Sequence, residues 1–343
     1  MIELLKELIS IPSLSRDEGK AADFLQGYLD SIGLDPKRIG NNLWVETEPE
    51  GDKPTILLNA HIDTVKPSSG YTRDPFHASQ DGDIIYGLGS NDDGGSIVAL
   101  LEAYRNLSAK EQPYRLIYSL AAQEEVGGTE GIEAILPHIG KVDLGIIGEP
   151  TGMKMAVAEK GLMVLDCTAH GKSGHAARDE GENAIYKALD DIEWFRTYKF
   201  EKVSEFCGAV KMSVTQINAG SQHNVVPDRC DFVVDIRGNG IYDNLSILDI
   251  VRRHVSCDFK PRSTRHNGAS IPMDHPVVRR GLSMGLDTFG SPTTSNQSVC
   301  PFTTVKIGPG ESCRSHTADE FIKISEITEG AQIYFKLLDG LKI

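Results

Sequence analysis

The sequence predicts an α/β fold in which helices cover both faces of a mostly parallel sheet, interrupted by an inserted α+β domain. Short, almost continuously apolar runs such as 55–60 and 144–147 alternate with helical stretches, which is typical of a sheet buried on both faces. Residues 159–270 instead follow the order strand, helix, strand, strand, helix, strand, as in a ferredoxin-like unit. We therefore predict one domain formed by 1–158 with 271–343, and a second formed by 159–270.

Local patterns predict the elements one by one. Residues 1–11 alternate charged and apolar positions as an amphipathic helix does, and Ser15 with Glu18 predicts a capping box for a helix over 17–32. The remaining predicted elements, in chain order, are strands over 43–45 and 55–60, a helix over 95–107, a strand over 116–121, a helix over 131–136, strands over 144–147 and 162–169, a helix over 183–197, strands over 210–217 and 229–236, a helix over 245–255, a strand near 259, a helix over 277–288, a strand over 303–307 and a helix from about 325.

Composition and charge exclude several classes of function. The net charge of −14 repels nucleic-acid phosphates, and no cluster of basic residues offsets it. No apolar run reaches the roughly 18 residues that a membrane span requires. The amphipathic start is unlike a signal peptide, and six widely spread cysteines without a Cys-x-x-Cys pair predict reduced thiols. We expect a cytoplasmic protein that binds neither nucleic acid nor membrane.

Acidic and histidine side chains follow the predicted strands at their carboxyl ends. His61 and Asp63 follow the strand over 55–60, Glu124 and Glu125 follow the strand over 116–121, and Glu149 follows the strand over 144–147. Ligands of open α/β sheets bind beyond the carboxyl ends of the strands. We therefore expect these side chains to converge on one crevice.

Three further contributors lie in turns or loops. Asp92 and Asp93 directly precede a predicted helix, and His316 follows the strand over 303–307. So many carboxylates would repel one another unless a multivalent cation neutralised them. Mixed imidazole and carboxylate ligands favour zinc, cobalt or manganese, and five candidate ligands exceed the three that one catalytic zinc takes. Two ions that share a bridging carboxylate account for the number.

Five motifs, in segments 61–65, 86–93, 124–125, 148–150 and 308–316, also carry a family resemblance. In this order, and over nearly the whole chain, they resemble the M20 family of di-zinc peptidases and deacylases. The segment Tyr-Thr-Arg-Asp-Pro-Phe after Gly70 is most similar to the acetylornithine deacetylase branch, and the succinyl-diaminopimelate desuccinylases are also similar. The resemblance implies a zinc-peptidase-type catalytic domain and an inserted domain that forms a homodimer.

The resemblance assigns the metal ligands. It makes Asp92 the carboxylate that bridges two zinc ions, for which cobalt can substitute. His61 and Glu149 complete one ion, and Glu125 and His316 complete the other. The chain departs from the resembled family two residues after Asp92. Many members have a lysine where this sequence has Gly94.

The remaining roles concern catalysis and substrate binding. The resemblance implies that Glu124 is the general base and that Asp63 orients the histidine ligand two residues before it. His175 matches a histidine that crosses the dimer interface to stabilise an oxyanion. Asn224 and Arg237 match positions that contact the substrate, and Arg237 would grip its carboxylate.

These roles imply a metal-dependent amidohydrolase that removes an acetyl or succinyl group from an N-acyl amino acid, with N-acyl-ornithine or N-acyl-citrulline of arginine biosynthesis favoured. A desuccinylase of the lysine and diaminopimelate pathway, or a di- or aminopeptidase, stays open. So does a non-catalytic binding module that retains the fold. A serine hydrolase is suggested only by Gly-Leu-Ser-Met-Gly at 281–285, where the flanks are predicted to be helical although this motif needs a strand before its turn.

Overall fold

The computed structural model describes residues 1–48 and 51–343, which divide into two compact units. The bounds of the units are Met1–Val157, Ser270–Phe289 and Ser295–Ile343 for the first, and Ala158–Ala269 and Gly290–Thr294 for the second. Within the described ranges, every helix is too short or too polar to cross a lipid bilayer.

Two α-helices come first in the chain, followed by five strands and then by further helices and strands. The α-helices of the described residues are α1 (Ile2–Ile9), α2 (Gly19–Ser31), α3 (Gly95–Ser108), α4 (Ile132–Ile139), α5 (Ala184–Thr197), α6 (Asn244–Arg252), α7 (Pro276–Ser283) and α8 (Ile324–Leu338). The strands are β1 (Lys37–Ile39), β2 (Asn42–Glu46), β3 (Thr55–His61), β4 (Ser79–Asp81), β5 (Ile84–Tyr86), β6 (Arg115–Ala121), β7 (Leu144–Ile147), β8 (Met155–Glu159), β9 (Leu162–His170), β10 (Gly174–His175), β11 (Lys211–Ala219), β12 (Val225–Val226), β13 (Arg229–Arg237), β14 (Asp258–Pro261), β15 (Ala269–Ser270), β16 (Thr288–Ser291), β17 (Thr304–Lys306) and β18 (Phe321–Lys323).

The first unit is built on a mixed sheet with strand order β1-β2-β6-β3-β7-β17-β8-β15, with β16 also paired to β8. Strands β6, β3, β7 and β17 run parallel, and their neighbours β2 and β8 run antiparallel to them. Helices cover both faces: Ile117 of β6 packs with Ile135 of α4, whereas the hydroxyl of the adjacent Tyr118 donates to the Ile97 carbonyl of α3. The predicted α/β architecture, with a largely parallel central sheet, is confirmed.

The second unit has the strand order β11-β13-β9-β14, and every pairing is antiparallel. This is the arrangement that the order strand, helix, strand, strand, helix, strand predicts for a ferredoxin-like unit. One face of the sheet is apolar, because β9 and β13 alternate buried and exposed residues. Phe195 of α5 and Ile247 of α6 pack with Phe232 of β13 to form the core.

The second unit also includes Gly290–Thr294, which the sequence did not predict. The Lys160 amide donates to the Ser291 carbonyl, and the Thr294 hydroxyl donates to the Lys160 carbonyl. The backbone at Gly290 lies so close to Phe206 that a Cβ atom there would sit 2.1 Å from the Phe206 carbonyl oxygen. Long-range backbone contacts of this kind leave no periodic pattern in the sequence.

The predicted capping box is wrong. Helix α2 begins at Gly19, and within residues 1–48 and 51–343 no side chain caps its first turn. The Ser15 hydroxyl instead donates to Asp63 Oδ2 at 2.7 Å, and the fully buried Glu18 carboxylate accepts the amide of Gln123. Both side chains therefore connect the start of α2 to loops beyond the sheet rather than to the helix itself.

Helix α7 is shorter than predicted and ends at Ser283, because Gly285 adopts a left-handed conformation with φ of 83°. The chain continues as strand β16, where the sequence predicted helix up to 288. The Ser283 hydroxyl donates to the Arg280 carbonyl one turn earlier. Because Ser283 lies at a helix end and not at a strand-to-helix turn, it does not form a nucleophile elbow.

Candidate metal centre

The predicted acidic and histidine side chains lie at the carboxyl ends of the parallel strands. His61 is the last residue of β3, Glu124 begins the turn after β6, and Glu149 lies two residues beyond β7. Asp92 lies in the short turn Ser90–Gly94 that leads into α3, and its own backbone is not helical. This edge of an open α/β sheet is where ligands bind.

The imidazoles of His61 and His316 lie near different oxygens of the Asp92 carboxylate. His61 Nε2 lies 3.1 Å from Asp92 Oδ1, and His316 Nε2 lies 3.7 Å from Asp92 Oδ2. His316 Nε2 also lies 2.9 Å from Glu125 Oε2. The His61 side chain is 2% exposed, whereas that of His316 is 54% exposed. Asp92 thus offers one oxygen to each histidine, as a bridging carboxylate must.

Two sets of side chains have ligand atoms spaced as in a metal site. One ligand atom each from His61, Asp92 and Glu125 lies within 4.8 Å of the other two, and the same holds for His61, Glu124 and Glu149. The second set contains Glu124, to which the sequence assigned proton transfer and not metal binding. That assignment stays a prediction.

The electrostatics of the cluster favour bound protons or cations. Burial, opposed by the charge of His61, raises the pKa of Glu124 to about 8. Burial and the nearby charge of Glu124 raise the pKa of Glu149 well above its usual range. Burial lowers the pKa of His61, but hydrogen bonds to Asp63 and Asp92 outweigh it and hold this pKa well above its usual value. The cluster therefore carries excess negative charge that it offsets with protons.

This donor set fits divalent cations. Imidazole nitrogens and carboxylate oxygens are the ligands that zinc and cobalt take in proteins, and a cation would let the protonated carboxyls ionise and release their protons. The number of converging donors also exceeds what one ion uses. The residues that could hold two ions are His61, Asp92, Glu125, Glu149 and His316.

The raised pKa values predict how the metal-free protein responds to pH. A carboxyl with a higher pKa in the folded state binds more protons there, so the free energy of unfolding falls as pH rises. For Glu124 the fall extends from its usual pKa of 4.5 to about 8, and the raised pKa of His61 acts in the same direction. We expect the Tm of chelator-treated protein to fall between about pH 5 and 9, and saturating metal to remove most of this fall. Thermal melts across the range measure it; a flat metal-free profile would contradict the electrostatics.

Asp63 connects His61 to the loop that carries the two adjacent glutamates. His61 Nδ1 donates to the Asp63 main-chain carbonyl at 2.9 Å and lies 3.4 Å from Oδ1, which leaves Nε2 facing the cluster. The Asp63 carboxylate accepts the amides of Glu124 and Glu125 at 2.9 and 3.1 Å. Asp63 therefore orients the imidazole mainly through its backbone and fixes the glutamate turn through its side chain.

Steric crowding explains why position 94 carries a glycine. A Cβ atom on Gly94 would lie 2.4 Å from the Gly89 carbonyl oxygen and 2.6 Å from a methyl carbon of Leu5. The turn that holds Asp92 packs too closely against itself and against α1 for a side chain at this position. The lysine that many members of the resembled family carry there does not fit this backbone.

Residues 57–340 match the sequence profile of Peptidase family M20/M25/M40. The chain belongs to this family. Among its M20 relatives, succinyl-diaminopimelate desuccinylase 2 of Ruegeria sp. (strain TM1040) is 25% identical, covering 98% of this chain and 94% of its own. Acetylornithine deacetylase of Photorhabdus laumondii is 27% identical, covering 98% of this chain and 96% of its own.

Solved structures of M20 enzymes share the fold. An aminopeptidase from Bacillus cereus matches with a TM-score of 0.78 and 18% identity, covering 98% of this chain and 96% of its own. A peptidase from Bacillus subtilis, described as dinuclear metal binding, matches with a TM-score of 0.73 and 15% identity, covering 98% and 96%. At these identities the likeness establishes the architecture alone.

In the second unit of this M20 chain, the structure brings two predicted residues together. Strand β10, which ends in His175, pairs with β12, and the Ala176 amide donates to the Asn224 carbonyl at 3.0 Å. His175 Nδ1 accepts the Ala177 amide at 3.1 Å, so the neutral imidazole carries its proton on Nε2. Both side chains are exposed. The ribbon thus presents His175 as a hydrogen-bond donor beside Asn224.

Arg237, the last residue of β13, already has a carboxylate partner. Its Nε and Nη2 donate to Asp235 at 2.8 and 3.1 Å, and about a third of each side chain is exposed. A substrate carboxylate could use Nη1 without breaking this pair. The predicted role of Arg237 therefore requires it to share its guanidinium between Asp235 and the substrate.

Sequence reasoning missed Glu320, which lies under the turn that carries Asp92 in this M20 chain. Its side chain is 2% exposed, and its carboxylate accepts the amides of Gly89, Asn91 and Asp92 at 3.0, 2.9 and 2.9 Å. The available signal was its position four residues after His316 and directly before a short apolar strand. A glutamate in a polar loop carries no sign of burial, so spacing alone did not identify it.

Lys306 was missed as well. It lies on β17, is only 2% exposed, and occupies a register opposite Ile147, two residues before Glu149. Its positive charge acts on the Glu149 carboxyl, lowering a pKa that burial raises. A lysine inside an otherwise apolar run was the sequence signal, because buried lysines are rare without a nearby negative charge.

Proposed function

We propose that this chain is a di-metal amidohydrolase that removes an acetyl or succinyl group from an N-acyl amino acid, with N-acyl-ornithine or N-acyl-citrulline in arginine biosynthesis as the favoured substrate. The observation that carries the proposal is the Asp92 carboxylate, whose two oxygens face His61 and His316. Family membership supports hydrolysis. The named relatives at 25–27% identity, which are deacetylases and desuccinylases, support an N-acyl amino acid as substrate.

Two zinc ions, or cobalt ions in their place, would polarise the acyl carbonyl and lower the pKa of the attacking water when bound. Glu124 then accepts a proton from that water as the new carbon–oxygen bond forms. It donates the proton to the departing nitrogen as the carbon–nitrogen bond breaks, which yields a carboxylic acid and a free amino acid. A residue that transfers this proton in both directions must lie within hydrogen-bond reach of the attacking water and of the departing nitrogen.

Residues of the second unit would act on the substrate. His175 Nε2–H donates to the oxygen that becomes negative in the transition state, and its tautomer supports that direction of donation. Asn224 lies beside His175 and would bind the amide portion of the substrate. Arg237 would bind the amino-acid carboxylate through the guanidinium nitrogen that Asp235 leaves available.

We further propose a cytoplasmic homodimer that forms through the second unit and binds neither nucleic acid nor membrane. Strand β11 lies at one edge of its sheet, and Ile217 on this strand is 57% exposed. On the adjacent helix α5, Tyr186 is 69% and Leu189 is 50% exposed. An unpaired edge beside exposed apolar side chains favours a self-complementary contact with a second copy.

A substrate panel tests the proposed function. Purified protein with zinc or cobalt should hydrolyse an N-acetyl or N-succinyl derivative of ornithine or citrulline, and a chelator should abolish this activity until metal is returned. N-succinyl-diaminopimelate and a dipeptide series test the alternative activities of the same centre. A serine-directed reagent serves as the negative control. The proposal fails if no amide is hydrolysed, as a non-catalytic module would behave, or if hydrolysis persists in chelator.

A further inference from the structure

We infer that Glu320 is a positioning residue that fixes the direction in which Asp92 presents its two carboxylate oxygens, and that it thereby sets the affinity for both metal ions. The inference rests on the proposed di-metal function and goes beyond it. Glu320 itself faces the backbone of the turn and not the ligand atoms.

The contacts of Glu320 are concentrated on one short loop. Oε1 accepts the amides of Asn91 and Asp92, Oε2 accepts the amide of Gly89, and the Glu320 main-chain carbonyl accepts the amide of Gly87. Hydrogen bonds from amides to a carboxylate are stronger than those between neutral groups. One residue therefore fixes the loop from 87 to 92 at four points.

The backbone at Asp92 needs such support. Asp92 has φ of −123° and ψ of 95°, so it is extended between the turn that precedes it and helix α3 that follows. Its amide and that of Asn91 are buried and do not join a helical hydrogen-bond ladder. Without the Glu320 carboxylate these buried donors would lose their partner, and the peptide would turn to find another.

The segment that ends in Glu320, residues 311–320, also carries His316. Asn91 donates from its side-chain amide to the Glu311 carbonyl at 3.1 Å and accepts the Glu311 amide at 3.0 Å, which ties the Asp92 loop to the start of the His316 loop. His316 has φ of 59°, an unfavourable conformation for a residue with a side chain. Contacts on both sides of His316, through Asn91 and through Glu320, hold the two loops in one arrangement.

A displaced Asp92 would affect two ions and not one. Its Oδ1 faces His61 and its Oδ2 faces His316, so rotation of the carboxylate moves a donor atom in each ligand set. Loss of His316, by contrast, removes a ligand from one set only. Replacement of Glu320 should therefore weaken both binding events, and replacement of His316 should weaken one.

Titration of metal-free protein with cobalt tests this difference. Glu320→Ala should raise both cobalt dissociation constants about 10–100-fold, as measured by calorimetry. It should also alter the visible spectrum of the bound cobalt. Glu320→Gln should fall between Ala and wild type, because its amide oxygen can still accept two backbone amides while its NH₂ group faces the Gly89 amide. His316→Ala should lose one binding event and retain the other.

Asp191→Asn is the matched control. Asp191, in the second unit, is 4% exposed, and its carboxylate accepts the amides of Ser256 and Cys257, each at 2.9 Å. The Asp191→Asn substitution should reduce the Tm to a similar extent as Glu320→Gln and leave cobalt binding unchanged. A Tm loss alone therefore cannot explain weakened binding in the Glu320 variants.

Each outcome decides the inference. Glu320→Ala that binds two ions with wild-type affinities and spectrum would overturn it and leave the proposed function intact. Wild-type protein that binds no cobalt would instead overturn the proposed function. If Glu320→Ala does not fold, Glu320→Gln decides by the same comparison, and wild-type binding by that variant counts against the inference.

Discussion

Glu124→Gln is expected to lower kcat by about 10²–10⁴-fold while two metal ions stay bound. Glutamine has the shape of the protonated glutamate but cannot take a proton from the attacking water. Because burial raises the pKa of Glu124 to about 8, the substitution also removes a charge that the metal-free cluster disfavours. At pH 8 the metal-free variant should have a Tm equal to or above that of metal-free wild type. Steady-state kinetics, metal analysis and thermal melts measure the three effects.

Two controls make this result decisive. Glu130→Gln applies the same change in the loop after β6, where the exposed Glu130 carboxylate accepts the side-chain amide of Gln123, and it should leave kcat unchanged. Metal content distinguishes the two roles open to Glu124, since it also shares a set of ligand-like atoms with His61 and Glu149. Loss of one ion from Glu124→Gln would make it a ligand, and near-normal kcat would remove it from the chemistry altogether.

Mixing two inactive variants is expected to restore activity if His175 acts across a dimer interface. His175→Ala should lower kcat about 10²–10³-fold, as the loss of one oxyanion donor does. A mixed dimer of His175→Ala with Glu124→Gln contains one site with both residues intact, because the glutamate of one chain meets the histidine of the other. Random exchange at equal concentrations should therefore recover roughly a quarter of wild-type activity.

The alternative outcomes separate assembly from catalysis. No recovery in verified mixed dimers would place His175 in its own chain's site or outside any site. A monomer in sedimentation analysis, active at wild-type rates, would contradict the homodimer itself. As a check on exchange, wild type mixed with Glu124→Gln should lose activity only in proportion to the inactive sites.

The sheet and several side chains of the candidate centre could be predicted because those side chains follow strands. His61, Glu124 and Glu149 come directly after apolar runs, and the carboxyl ends of parallel strands meet at one edge. Hydrophobic runs report burial of the strands themselves, so both the architecture and the edge could be predicted. His316 lies in a polar loop after the strand over 303–307, and its assignment rested mainly on the family resemblance.

Other features escaped prediction because they depend on contacts between distant segments. Ser15 and Glu18 have the spacing of a capping box, but buried loops beyond the sheet compete for their side chains, so the local pattern was misleading. Glu320 contacts a turn more than two hundred positions earlier in the chain. Periodicity and spacing describe neighbours in sequence, whereas these partners are set by how the loops pack.

The place of β17 in the sheet determines when, during synthesis of the chain, the sheet of the first unit can be completed. This strand lies between β7 and β8, although the whole second unit is translated before it. Until residues 304–320 leave the ribosome, β7 lacks one of its two parallel neighbours, and Asp92 lacks both the His316 imidazole and the Glu320 carboxylate. A nascent chain that has not yet reached His316 therefore offers only part of the candidate ligand set.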